Sequence, residues 1–153
     1  PWRMEDAPDL VRAINNPNLP KNQFGWEIAP VGFRTTMRHL WDRYRLPLII
    51  TENGLGAFDE VAEDGKIHDE YRIDYLRRHI EQIGLAIGDG VDVFGYCPWS
   101  AIDLISTHQG MRKRYGFIFV DRDEFDLKRL ARVRKESSFW HSDVIASNGS
   151  NLS

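Results

Sequence analysis

Cysteine is nearly absent from this chain. Cys97 stands alone among 153 residues, so no internal disulfide can form, and a reducing compartment is the default. Five histidines (His39, His68, His79, His108, His141) are scattered without HxxxH or CxxC spacing, so no metal centre and no cofactor are expected. No run reaches about 18 apolar residues, the length a membrane helix needs. The net charge is −3, which leaves no general basic field for nucleic acid. The start, Pro1-Trp2-Arg3-Met4, has neither an initiator methionine nor a signal-peptide pattern and reads as cut from something longer. What remains is a chain with 42% hydrophobic and 28% charged residues, globular and long enough for a core of its own.

The chain alternates helical and strand-like patterns. Residues 1–29 are a loop-rich lead-in containing Asn15-Asn16-Pro17-Asn18-Leu19-Pro20. Pro30 suits a first helical turn, and Phe33, Met37, Leu40, Trp41 and Tyr44 follow as one apolar stripe. Pro47 closes that helix. Leu48 to Thr51 reads as a buried strand. A second helix is expected from about Asp69 to Ile87, because Ile73, Leu76, Ile80, Ile83 and Ile87 recur at helical spacing. Asp69 or His68 stands at its cap, and Gly88 and Gly90 end it. Val91 to Tyr96 is a second strand, followed by Cys97-Pro98-Trp99-Ser100. Residues 100–114 form a polar connection, Tyr115 to Val120 a short strand, and Lys135 to Ser147 a last helix. The order repeats one α/β unit, as parallel-sheet folds do. The β/α units thus cover 30–147, and 148–153 form a flexible tail. Two glycosylation sequons in that region, at Asn148 and Asn151, read as chance matches.

One residue is out of keeping with its surroundings. Leu48-Ile49-Ile50-Thr51 leads straight into Glu52-Asn53-Gly54. A carboxylate is costly to bury, so Glu52 at the end of such a run serves either catalysis or an internal ion pair. Trp99, after the second strand, reads on its own as ordinary packing. Arg112-Lys113-Arg114 reads on its own as a solvated basic run. Trp2, Trp26, Trp41 and Trp140 are assigned to packing, and Cys97 to the buried interior.

An ordered set of motifs narrows these choices. They are Gly25-Trp26-Glu27-Ile28 with Pro30-Val31-Gly32, Thr51-Glu52-Asn53-Gly54, Asp69-Glu70-Tyr71-Arg72-Ile73 with Tyr75-Leu76, Tyr96 with Trp99-Ser100, and Lys113-Arg114-Tyr115-Gly116-Phe117-Ile118 with Val120-Asp121. In this order they resemble the carboxyl-terminal portion of glycoside hydrolase family 1, the retaining β-glycosidases. The resemblance implies an α/β fold: residues 1–153 as part of a (β/α)8 TIM barrel, about its last two to three β/α units. Leu48–Thr51 would then be the seventh barrel strand and Val91–Trp99 the eighth. It implies that Glu52 is the nucleophile, at the strand end where such barrels keep their chemistry, and that Trp99 lies beneath the sugar.

The loop after the second strand resembles one branch of that family. Members acting on plain sugars usually carry Glu-Trp where Ser106-Thr107 stands. Ser106, Lys113 and Tyr115 match the phosphate site of the 6-phospho-glycosidases. A glutamate would repel a phosphate dianion, whereas a serine offers a hydroxyl, Lys113 a charge and Tyr115 a phenol. Thr107, in place of a tryptophan, points to gluco configuration, with galacto as the alternative. The resemblance therefore implies a 6-phospho-β-glucosidase acting on a phosphorylated β-glucoside in a bacterial cytoplasm. The acid/base motif Asn-Glu-Pro does not occur in the 153 residues. The chain is expected to be inactive alone, to need the amino-terminal barrel portion as a partner, or to pair with itself through exposed barrel edges. A sugar-phosphate-binding or folding piece without catalysis, and a plain β-glucosidase piece, are the rival readings.

Overall fold

A computed structural model of the chain describes residues 16–153; Trp2 lies outside them. The elements in order are α1 (Pro30–Tyr44), β1 (Leu48–Asn53), α2 (Glu70–Gly88), β2 (Val93–Pro98), β3 (Ile118–Val120), β4 (Arg132–Arg134) and α3 (Glu136–Ala146). Pro30 opens α1, where its missing N–H removes nothing from the helix. Arg45 closes α1 in the left-handed region, its N–H bonded to the Trp41 carbonyl at 2.9 Å. The apolar stripe is narrower than the sequence spacing suggests. Phe33, Met37 and Trp41 face the core, while Leu40 and Tyr44 are exposed.

β1 and β2 pair in parallel, with α2 as the crossover between them. α2 packs against both α1 and α3. Met37, Ile50, Ile83, Ala86 and Val91 form the buried cluster between helices and sheet, flanked by Phe33, Trp41, Leu48, Val93 and Tyr96. One face of the two strands is thus covered. The other leaves Ile49 and Phe94 exposed. Of the strand expected from Tyr115 to Val120, only Ile118–Val120 pairs. Its antiparallel partner is Arg132–Arg134, a strand too short and too charged to stand out in the sequence.

Asp69 departs from the sequence reading in an instructive way. It occupies the N-cap of α2 but makes no side-chain cap there. Its carboxylate instead accepts the Ser137 N–H at 2.8 Å and the Ser137 hydroxyl at 2.5 Å, so it caps α3. It also pairs with Arg72 at 2.9 Å. Around it lies a buried ionic cluster. Arg72 reaches Asp59 at 2.7 Å, Arg114 reaches Asp103 at 3.2 Å, and the Lys135 ammonium bridges Asp59 and, at 2.7 Å, Asp103. Asp59 follows β1 and Asp103 follows β2, so Lys135, at the foot of α3, ties both strand-end loops together. Tyr71 also donates to Asp59. Burial, then the neighbouring Asp59 charge, pushes its phenol far above the usual tyrosine range.

Candidate active site

Glu52 owes its direction to an irregularity. Side chains alternate along a strand, so Leu48, Ile50 and Glu52 would share the helix-covered face if pairing were regular. The register slips between Ile50, opposite Tyr96, and Asn53, opposite Pro98. Three steps on β1 therefore match two on β2, which is the signature of a β-bulge. The extra residue reverses the alternation. Asn53 turns toward α2, where its Nδ2 donates to the Tyr75 hydroxyl at 3.1 Å and its Oδ1 accepts from the Tyr96 hydroxyl at 2.9 Å. Glu52 is left exposed. Among the described residues no hydrogen bond or ion pair ties its carboxylate. Among the described residues the internal ion pair considered for it does not form, and Glu52 is exposed at the carboxyl end of β1.

The strand ends are stitched together behind it. The Trp99 N–H donates to the Asn53 carbonyl at 2.8 Å. A Cβ on Gly54 would lie 2.9 Å from the Trp99 carbonyl carbon, so only glycine lets the two backbones meet there. The peptide between Trp99 and Ser100 is cis. Trp99 is half-exposed, and its ring meets that of Tyr115 edge-on, centroids 6.4 Å apart.

The remaining candidates converge on Tyr115. Its hydroxyl donates to Ser106 Oγ at 3.1 Å. Ser106 is held by a tight turn, its N–H bonded to the Gly110 carbonyl at 3.1 Å and its carbonyl accepting the Gly110 N–H at 3.0 Å. The Lys113 ammonium lies 5.4 Å from the Tyr115 ring centroid. The structure thus brings Trp99, Ser106, Lys113 and Tyr115 together. Thr107 stands apart from them: it is exposed, with its hydroxyl 3.0 Å from His108 Nδ1.

Lys113 is not part of a solvated basic run. It is 2% exposed, and among the described residues it pairs with no carboxylate. Its ammonium sits 3.3 Å over the Trp26 ring and 5.0 Å from that of Phe24. Burial holds its pKa below the usual lysine value. Trp26, assigned to packing from the sequence, is 57% exposed and serves as a π-face for this cation. The turn that presents Phe24 and Trp26 is pinned by Asn22, whose Oδ1 accepts both of their N–H groups at 2.9 Å. Cys97, assigned to the interior, is exposed, because β2 is covered on only one face.

Two other features were not visible in spacing. His68, Glu70 and Glu136 bring ligand-type atoms within 4.8 Å of one another, and His68 Nδ1 lies 2.8 Å from Glu136 Oε1. A cavity of about 410 Å³ lies beside Gln23, Phe58, His68 and Tyr71. A well-formed cavity is the usual first candidate for a site. Glu52, Trp99, Ser106, Lys113 and Tyr115 do not line it; they gather instead at the carboxyl ends of β1 and β2 and in the connection after β2.

Parallel strands, a helical layer on one face and candidate site residues at the carboxyl ends define part of an α/β barrel. The chain belongs to glycosyl hydrolase family 1, whose profile matches residues 3–150. It is 50% identical over 145 residues to the aryl-phospho-beta-D-glucosidase BglC of Bacillus subtilis (strain 168), covering 95% of this chain and 30% of that protein. It is 51% identical over 147 residues to the 6-phospho-beta-glucosidase AscB of Escherichia coli (strain K12), covering 95% and 31%. The chain thus spans about a third of the length of these relatives. The family 1 β-glucosidase of Thermotoga maritima superposes with a TM-score of 0.83 at 38% identity, covering 91% of this chain and 30% of that one. Family and partial-barrel architecture both agree with the expectation from the motifs.

Proposed function

We propose that this chain supplies the nucleophile and the phosphate seat of a retaining 6-phospho-β-glucosidase. The observation that carries the reading is Lys113: a cation 2% exposed, without a carboxylate partner among the described residues, beside the Tyr115–Ser106 hydroxyl pair. A buried charge calls for a counter-charge, and a sugar 6-phosphate supplies one. Lys113 gives the charge, and the hydroxyls of Ser106 and Tyr115 give hydrogen bonds. Glu52 attacks the anomeric carbon of the bound sugar. The bond to the aglycone oxygen breaks as the glycosyl ester forms, and water then cleaves the ester. The face of Trp99 carries the ring. Thr107 favours gluco over galacto configuration.

The departing aglycone oxygen needs a proton, from a carboxyl about 5–5.5 Å away from the nucleophile. No Asn-Glu-Pro motif occurs in these 153 residues, and general acid help is worth about 10²–10⁴-fold. By itself the chain turns over poorly. Its partner is the rest of a barrel, laid against the exposed face of Ile49 and Phe94; pairing with a second copy is the alternative. The setting is the cytoplasm, where uptake coupled to phosphorylation delivers such glycosides. Calorimetry tests the site. Glucose 6-phosphate binds and glucose does not, and Lys113→Ala abolishes the difference; equal binding of both sugars by the unaltered chain would refute the reading.

A further inference from the structure

Lys113 reaches its position across a glycine. Ala57 and Arg114 exchange two backbone hydrogen bonds, Ala57 N–H to the Arg114 carbonyl at 3.0 Å and Arg114 N–H to the Ala57 carbonyl at 2.9 Å. This pairing joins the loop after β1 to the loop after β2, and the Lys113 stem lies across Gly56. A Cβ built on Gly56 would lie 2.7 Å from Lys113 Cγ and 3.0 Å from Cδ, and closer still to Cε. Three successive carbons of the lysine stem therefore occupy the space that any side chain at 56 would need. Gly56 has no left-handed φ, so alanine is excluded by the lysine and not by the backbone. Both residues are buried, and a side chain at 56 fits only if the stem shifts.

We propose that Gly56 is a positioning residue for the phosphate-binding lysine: its bare backbone is the floor on which the Lys113 stem lies, which holds the ammonium against the Trp26 and Tyr115 rings. The inference rests on the reading of Lys113 as a phosphate ligand. It adds that the strand end carrying the nucleophile and the loop after it also set the reach of the cation, so that one segment, Glu52 to Gly56, fixes both ends of the site. Gly54 seats Trp99 and Gly56 seats Lys113. An added methyl at 56 forces the lysine into another rotamer and moves its ammonium off the Trp26 face.

The test compares Gly56→Ala, Lys113→Ala and the double variant in the 153-residue chain. Calorimetry with glucose 6-phosphate and thermal unfolding are read on each. Gly56→Ala is expected to weaken glucose 6-phosphate binding by about ten- to a hundredfold, the loss of one charge-assisted contact. NMR titration of the Lys113 side chain moves up toward the ordinary lysine value as the ammonium leaves its buried seat. Gly56→Ala lowers the melting temperature when Lys113 is present and much less in the Lys113→Ala background, where the stem is gone. Unaltered binding and an unaltered lysine titration in Gly56→Ala would overturn the inference, as would an equal melting penalty in both backgrounds. If Gly56→Ala does not fold, recovery of folding in the double variant supports the inference, and continued failure overturns it. If the unaltered chain binds no glucose 6-phosphate, the phosphate reading fails, while the double-variant melting comparison still decides whether Gly56 seats Lys113.

Discussion

Replacing Lys135 by methionine should cost this chain a large part of its stability. The ammonium is fully buried and bridges Asp59 and Asp103. Arg72 and Arg114 take the other sides of those carboxylates, and Asp69 pairs with Arg72. The cluster is balanced, with cations Arg72, Arg114 and Lys135 against Asp59, Asp69 and Asp103. Burial, above all, and the nearby Arg72 charge hold the lysine's pKa below its usual value, against the pull of the two aspartates. The cluster as a whole need not stabilise more than an apolar filling would, but removing one member strands a negative charge in the interior. That costs about 3–5 kcal/mol, out of the roughly 5–15 kcal/mol available to a domain. With a urea slope of about 2 kcal/mol per molar, the unfolding midpoint falls by about 2 M. The comparison is Arg34→Ala, which removes a half-exposed pair with Asp89 at 2.7 Å and should cost about 0.2–1 kcal/mol. A midpoint for Lys135→Met no lower than that of Arg34→Ala would refute the reasoning.

Further outcomes follow from single contacts. The Glu136 hydrogen bond, then its charge and that of Asp64, raise the His68 pKa. The stabilisation is therefore fully present below the ordinary histidine value and lost as pH rises through the raised one. The melting advantage of the unaltered chain over His68→Gln should be larger at about pH 5.5 than at about pH 8; an equal gap at both would exclude it. Tyr75→Phe keeps the ring that stacks on His79 at 4.0 Å and removes only the hydroxyl partner of Asn53. It should cost about 0.5–1.5 kcal/mol in a denaturation curve, and no cost would show that the Asn53 contact does not support the strand end.

What could be read from the sequence divides along a physical line. Helices α1 and α2, the parallel strands and their order follow from local periodicity and from Pro30, Pro47 and Gly90, all short-range signals. The ends of α3, expected at Lys135 and Ser147 and observed one residue inside each, were equally local. The partners across the fold were not legible. Asp69 looks like the cap of its own helix, yet it serves α3, 68 residues away in the chain. Trp26 looks like packing, yet it faces Lys113, because a turn pinned by Asn22 carries it there. The bulge that redirects Glu52 depends on the register against β2, which no single strand encodes. Cys97 looked buried because the pattern assumes a sheet covered on both faces.

Covalent capture of the nucleophile tests the central claim most directly. In a 2-fluoro 6-phospho-β-glucoside the dinitrophenolate departs without an acid, so the proposed nucleophile and phosphate seat should suffice for labelling. Incubation followed by peptide mass spectrometry should find the phosphorylated fluoro-sugar on Glu52, formed faster than with the unphosphorylated analogue and lost in Glu52→Gln. Label on another residue, or equal labelling by both sugars, would contradict it.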